Sequence, residues 1–147
     1  MSYFARKITI SKWPLNENGD IPELENIPAD AITSDLRTTG NTLSWWLVEN
    51  NKDQAVLVAM AVAQSKEKFS TTRILMIPQE ELTENFELEN TEVETMITEL
   101  KGCHYDMKNM DYEKIGKLGK LIYSRLKNNP EDIITIKKSD LPPDREF

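Results

Sequence analysis

The stretch Cys103-His104-Tyr105-Asp106 is the one place in the chain where a thiol, an imidazole and a carboxylate lie together in sequence. A nucleophilic thiol needs an imidazole that reaches it through space as a general base. Neighbours in an extended chain point to opposite sides, and the chain has no second histidine that could serve Cys103. We therefore expect Cys103, His104 and Asp106 to be structural, with His104 orienting a loop, and a catalytic role for them is the alternative.

Residues 116–120 combine glycine with lysine, as phosphate-binding loops do. They lack the spacing of such a loop and fall inside a predicted helix, whose amides are already hydrogen-bonded. Lys117, Lys120 and Lys127 share one face of that helix, which is more typical of a solvated face than of a nucleic-acid interface. We predict neither a nucleotide cofactor nor a nucleic-acid partner.

The glutamates are concentrated in residues 79–99, which we call the acidic segment. It contains eight glutamates and no lysine or arginine, while the rest of the chain sums to +1 within a net charge of −7. Dense carboxylates attract a cationic partner and steer its association. The alternative is a solvated loop without a partner. The predicted partner-binding residues are Glu84, Glu87, Glu89, Glu92 and Glu94.

Composition limits the class of protein. A chain of 147 residues, of which 39% are hydrophobic and 29% charged, has the size of one globular domain. Its longest apolar run is nine residues, too short to span a membrane, and the first ten residues lack the apolar core of an export signal. One cysteine allows no internal disulfide, and no Cys or His spacing resembles a zinc site. We expect a cytoplasmic protein without cofactor, metal or membrane contact.

The central unit is predicted from residues 41–77 as strand, helix, strand. Residues 42–49 and 71–77 have the aromatic and β-branched content of buried strands. Between them, residues 55–63 are all apolar and include four alanines, which favours a helix over 53–66 pressed onto the sheet. A right-handed crossover would then join two parallel strands. A hairpin with 55–63 as its second strand is the alternative.

The remaining elements have weaker or more local signals. The clearest is an amphipathic helix over 111–127, capped by Asp111. Gly116 and Gly119 weaken that helix, so we expect them to permit close contact with a neighbouring element. Further predictions are a half-buried strand over 3–10, an irregular loop over 11–27 with Trp13 against the core, short helices near 28–37, 78–82 and 92–100, and a strand over 132–137.

The fold class predicted is α/β or α+β, a small mixed sheet of about four strands with two main helices packed on it. Residues 1–140 would form a single domain, followed by a tail over 141–147. One core should contain Trp45 and apolar residues of both strands and both helices: Leu57, Val58, Val62, Leu75, Ile77, Ile115, Leu118 and Ile122.

The predicted function is that of a non-enzymatic intracellular binding protein whose acidic surface meets a basic partner protein. Small acidic inhibitors such as immunity proteins and antitoxins share this general character. The alternative is a small hydrolase or nuclease with a carboxylate cluster or His104 at its site.

Overall fold

The computed structural model describes residues 1–63 and 69–142, in which a six-stranded sheet carries helices on both faces. The strands are β1 (Ser2–Ile8), β2 (Leu43–Glu49), β3 (Thr72–Pro78), β4 (Glu87–Asn90), β5 (His104–Lys108) and β6 (Ile133–Ile136). The helices are α1 (Ala29–Asp35), α2 (Lys52–Ala63), α3 (Gln79–Thr83) and α4 (Tyr112–Asn128). Single 3-10 turns include Leu24–Asn26, Thr98–Leu100 and Pro130–Asp132.

β1 lies in the middle of the sheet, whose strand order is β4-β5-β2-β1-β3-β6. All strand pairs among the described residues are antiparallel. β2 and β3 run in the same direction, as predicted, but β1 lies between them and pairs antiparallel with both. The predicted mixed sheet is therefore wrong. The sequence pattern of β1 indicated burial on one face only. Phe4 and Ala5 point to opposite faces and are both fully buried. Because the side chain of Ala5 is small, the sequence pattern did not indicate that the second face of β1 is buried.

The sheet separates two apolar cores instead of one. Trp45 packs with Leu118 and Ile122 on the face covered by α1 and α4, which we call the α4 face. Val58 packs with Met76 on the opposite face, covered by α2, which we call the α2 face. The predicted single core is wrong because alternate residues of each strand point to opposite faces. Of the other predicted core residues, Leu75, Ile77 and Ile115 lie on the α4 face and Leu57 and Val62 on the α2 face.

Helix α2 confirms the predicted helix for residues 55–63, and the alternative of a hairpin strand is wrong. The Asn51 side chain accepts a hydrogen bond from the Gln54 amide at 2.8 Å and so caps the first turn. Buried residues occur around most of the helix because it lies across β1, β3 and β6. The predicted helix end, residues 64–66, lies outside the described residues. Residues 143–147 of the predicted tail also lie outside the described residues. Leu141, the first residue of that tail, is partly buried against the α2-face core.

Helix α4 is confirmed, with Asp111 Oδ1 accepting a hydrogen bond from the Lys114 amide at 2.9 Å. Its two glycines permit the close contact that we predicted. A Cβ added at Gly116 would lie 2.7 Å from Leu24 Cδ1, and one at Gly119 would lie 3.1 Å from an Ile27 methyl carbon. The segment before α1 can therefore pack directly on the α4 backbone.

The predicted helix over residues 92–100 is wrong, since only Thr98–Leu100 form a single 3-10 turn. Ile97 and Leu100 are buried, whereas Val93 and Met96 are 42% and 70% exposed. The four apolar residues thus do not face one surface. The sheet has six strands instead of about four because polar composition concealed β4 and β5, which pair antiparallel at one edge.

The irregular segment after β1 is held to the sheet by a buried polar cluster. The Asp35 carboxylate accepts hydrogen bonds from Trp13 Nε1 at 2.6 Å and from the Thr9 amide at 2.7 Å. The Arg6 guanidinium donates to the Asp35 carbonyl oxygen at 2.7 and 3.0 Å. Burial lowers the pKa of Arg6 to about 10, against the opposing effect of the Asp35 charge. Trp13 is buried against the core, as predicted.

Candidate binding surfaces

Cys103 and His104 stand at the start of β5, and their side chains have different partners. Cys103 Sγ lies 3.9 Å from the carbonyl oxygens of Glu99 and Lys101. His104 Nδ1 lies 2.8 Å from Thr91 Oγ1. The thiol therefore contacts its own turn, while the imidazole contacts the residue that follows β4.

His104 is 5% exposed, and its ring meets Trp46 edge-to-face with centroids 4.9 Å apart. Its carbonyl oxygen accepts hydrogen bonds from the Thr91 amide at 2.9 Å and from Asn90 Nδ2 at 3.0 Å. Burial lowers the pKa of His104, against the smaller opposing effects of the Asp106 carboxylate and the hydrogen bond with Thr91. The imidazole is therefore neutral at neutral pH, and it anchors the end of β4 to β5.

Glu87 and Glu89 lie on the edge strand β4, and both have partners. Glu87 Oε2 accepts a hydrogen bond from Asn109 Nδ2, and Glu89 Oε2 lies 2.7 Å from Lys108 Nζ. The hydrogen bond and charge of Glu89 raise the pKa of Lys108. Charged side chains on an edge strand also oppose pairing with a strand of another chain. These two glutamates therefore have structural roles that need no partner protein.

Glu81, at the start of the acidic segment, belongs to a buried ionic cluster. Arg125 is buried, and its Nη1 lies 3.0 Å from Glu81 Oε2. Its other terminal nitrogen pairs with the Asp132 carboxylate, which also accepts a hydrogen bond from Asn50 Nδ2 at 2.8 Å. The cluster ties α4 to α3, to the turn before β6 and to the end of β2. Part of the acidic segment thus stabilises the fold.

Glu84, Glu92 and Glu94 differ from these glutamates. All three are exposed, and within the described ranges none has an ion-pair partner. Glu84 follows α3, whereas Glu92 and Glu94 lie in the loop between β4 and β5. Of the five predicted partner-binding residues, Glu87 and Glu89 thus have side-chain partners on or beside the edge strand. The other three, Glu84, Glu92 and Glu94, have no ion-pair partner in the described ranges.

Glu92 and Glu94 line a groove of about 760 Å³, which we call the acidic groove. Its lining also includes Val93 and Met96, two of the more exposed large apolar residues, and Lys101. A lysine or arginine of a partner could lay its aliphatic stem on such apolar groups while its charged end pairs with a carboxylate. The carboxylates were predicted from composition, whereas Val93 and Met96 were expected on one face of a helix together with Ile97 and Leu100.

A second concave surface, which we call the apolar cavity, lies on the α4 face between α1, the start of α4 and the turn Leu24–Asn26. Its volume is about 720 Å³. No sequence pattern predicts this cavity, because its walls come from distant parts of the chain. The sequence signal nearest to it was Gly116. The apolar lining residues are Leu24, Ile27, Ile32, Leu36, Met110 and Ile115.

No protein-family model, curated protein or solved structure matches this chain. Within residues 1–63 and 69–142, no helix has both the length and the apolar composition needed to cross a bilayer. In the same ranges, no three His, Cys, Asp or Glu side chains cluster in a way that could hold a metal ion.

Proposed function

We propose that the protein is a non-enzymatic binding protein that presents an acidic surface to a basic partner protein. The acidic groove carries the proposal. There, Glu92 and Glu94 are exposed and have no ion-pair partner in the described ranges, and Val93 and Met96 are exposed beside them. Unpaired carboxylates next to apolar side chains suit the lysines and arginines of a basic protein surface.

The unpaired glutamates have an electrostatic cost that the fold does not require. Repulsion among like charges destabilises a compact state. Arg125 and Lys108 offset this repulsion at Glu81 and Glu89. Glu92 and Glu94 would gain such a cation only in a complex. The proposal extends to an intracellular inhibitor of the immunity or antitoxin type, which covers the cationic surface of an enzyme. A single cysteine, Cys103, suits a reducing compartment.

Affinity capture from an extract of the source cells tests this proposal. One variant replaces by glutamine the three predicted partner-binding glutamates that have no ion-pair partner in the described ranges: Glu84→Gln, Glu92→Gln and Glu94→Gln. A matched control removes three exposed glutamates elsewhere: Glu17→Gln, Glu49→Gln and Glu131→Gln. We expect the wild type and the control to retain the same basic proteins, measured by mass spectrometry, and the first variant to lose them. Equal retention by both variants would exclude the acidic groove as the binding surface.

A further inference from the structure

The apolar cavity is distinct from the acidic groove. It lies on the α4 face, between α1 and the start of α4. The acidic groove is lined by Leu100, which belongs to the core of the opposite, α2 face. The proposed function makes no use of the apolar cavity, so this cavity needs its own account.

Size and lining give the apolar cavity the character of a small-molecule site. Such sites typically enclose about 300–1,000 Å³ and are mostly apolar, with a few polar groups that orient the ligand. Leu24 and Tyr112, which line the cavity, are 45% and 96% exposed. A ligand with an apolar body would remove part of this surface from water, and that transfer favours binding.

The charges around the cavity indicate which head group such a ligand carries. Glu25 and Glu113 line the cavity together with Arg37, and Glu113 Oε1 lies 3.9 Å from Lys117 Nζ. Arg37 is exposed, and within the described ranges it has neither a hydrogen bond from its guanidinium nor an ion pair. Glu113 therefore has a cation within ion-pair distance, whereas the Arg37 guanidinium has no carboxylate partner in the part of the chain that the structure describes.

We infer that the apolar cavity binds a small amphipathic anion, a molecule with an aliphatic body and a carboxylate head. The aliphatic body lies against Leu24, Ile32 and Ile115, and the carboxylate pairs with Arg37. A planar guanidinium suits this role because it donates two parallel hydrogen bonds to one carboxylate.

Isothermal titration calorimetry of the full chain with decanoate tests the inference. Decanol and decylamine have the same chain length but carry a neutral and a cationic head group. We expect one decanoate to bind per chain, about tenfold more tightly than decanol, because only decanoate forms the charged pair with Arg37. Decylamine should not bind. Absence of decanoate binding, equal affinities for decanoate and decanol, or tighter binding of decylamine would each overturn the inference.

Two variants test the assigned residues. Arg37→Gln should weaken decanoate about tenfold and leave decanol unchanged. Its matched control, Lys138→Gln, removes one exposed positive charge after β6, outside both concave surfaces, and should change neither affinity. Thr33→Trp adds bulk at an exposed lining position of α1 and should abolish binding of both ligands, with folding checked by circular dichroism. If Arg37→Gln and Lys138→Gln had the same effect, Arg37 would not hold the head group. Partner capture by the acidic groove would be unaffected by such a result.

Discussion

His104 is the single histidine of the chain, and its surroundings favour the neutral imidazole. Burial dominates over the Asp106 carboxylate and the hydrogen bond with Thr91, so the pKa lies below its ordinary value of 6.5. An NMR titration of the ring protons should show one imidazole that titrates below 6.5. A measured pKa at or above that value would mean that the ring is not desolvated as the structure shows.

The lowered pKa of His104 also predicts how stability depends on pH. Above 6.5 the histidine is neutral in both the folded and the unfolded chain and adds no slope. As the pH falls below 6.5, the unfolded chain binds the proton first, so the free energy of unfolding decreases until the folded-state pKa is passed. Between about pH 7.5 and about pH 5.5, the free energy of unfolding measured with urea should therefore decrease more for the wild type than for His104→Gln. Equal losses would contradict the prediction.

At the scale of single elements, Gly116 in α4 offers a prediction about the segment that it contacts. Alanine in a helix interior is more stable than glycine by about 1 kcal/mol. In the wild type, part of this gain is lost because the new Cβ would lie 2.7 Å from Leu24 Cδ1 and displace that side chain. Gly116→Ala should therefore raise the free energy of unfolding more in a Leu24→Ala background than in the wild type. Equal effects in both backgrounds, measured by urea unfolding, would show that Leu24 does not pack on α4.

The buried cluster of Arg125 predicts a much larger effect. Asp132→Asn keeps the shape of the side chain but removes the more buried of the two carboxylate charges that Arg125 faces, the other being that of Glu81. Loss of one partner of a buried ion pair typically costs about 3–5 kcal/mol when the other charge is left without compensation, and we expect a smaller cost here because Glu81 still pairs with Arg125. Arg125→Met combined with Asp132→Asn should be less destabilised than Asp132→Asn alone, as judged from the urea midpoints. The opposite order would mean that Glu81 alone satisfies Arg125.

The elements that the sequence predicted correctly have strong local signals. α4 has an apolar face at helical spacing and an N-cap at Asp111, and α2 has too many alanines for a strand. β4 and β5 have no such signal, because Glu87 and Glu89 belong to a strand only through pairing with residues about 20 positions later. The location of the acidic charge could likewise be predicted from composition. Which glutamates are neutralised depends on Lys108, Asn109 and Arg125, whose proximity only the fold determines.

At the scale of the whole molecule, the charge distribution and the fold together define an acidic edge. β4 is the outermost strand on one side of the sheet, and the loop that follows it forms the acidic groove. This edge is far along the sheet from β6, the other outermost strand. The proposed cationic partner would therefore meet Glu92 and Glu94 on one side of the sheet, which favours an oriented encounter.

The acidic edge predicts the kinetics with which a captured partner binds. Steering between exposed charges fades beyond a screening length of about 8–10 Å at physiological salt, so the association rate should fall steeply as salt increases. Glu92→Lys with Glu94→Lys should reduce the association rate and its salt dependence, with little change in the urea midpoint, because neither glutamate has an ion-pair partner in the described ranges.

The matched control is Glu87→Lys with Glu89→Lys, which changes the net charge by the same amount. These substitutions remove the contacts with Asn109 and Lys108 and place cations beside Lys108 on the edge strand. We therefore expect this pair to lower the urea midpoint more than the first pair and to slow association less, since only the first pair lines the acidic groove. Stopped-flow measurements at several salt concentrations separate the two effects. If both pairs slowed association equally, only the total charge of the edge would matter, and the acidic groove would not be the contact surface.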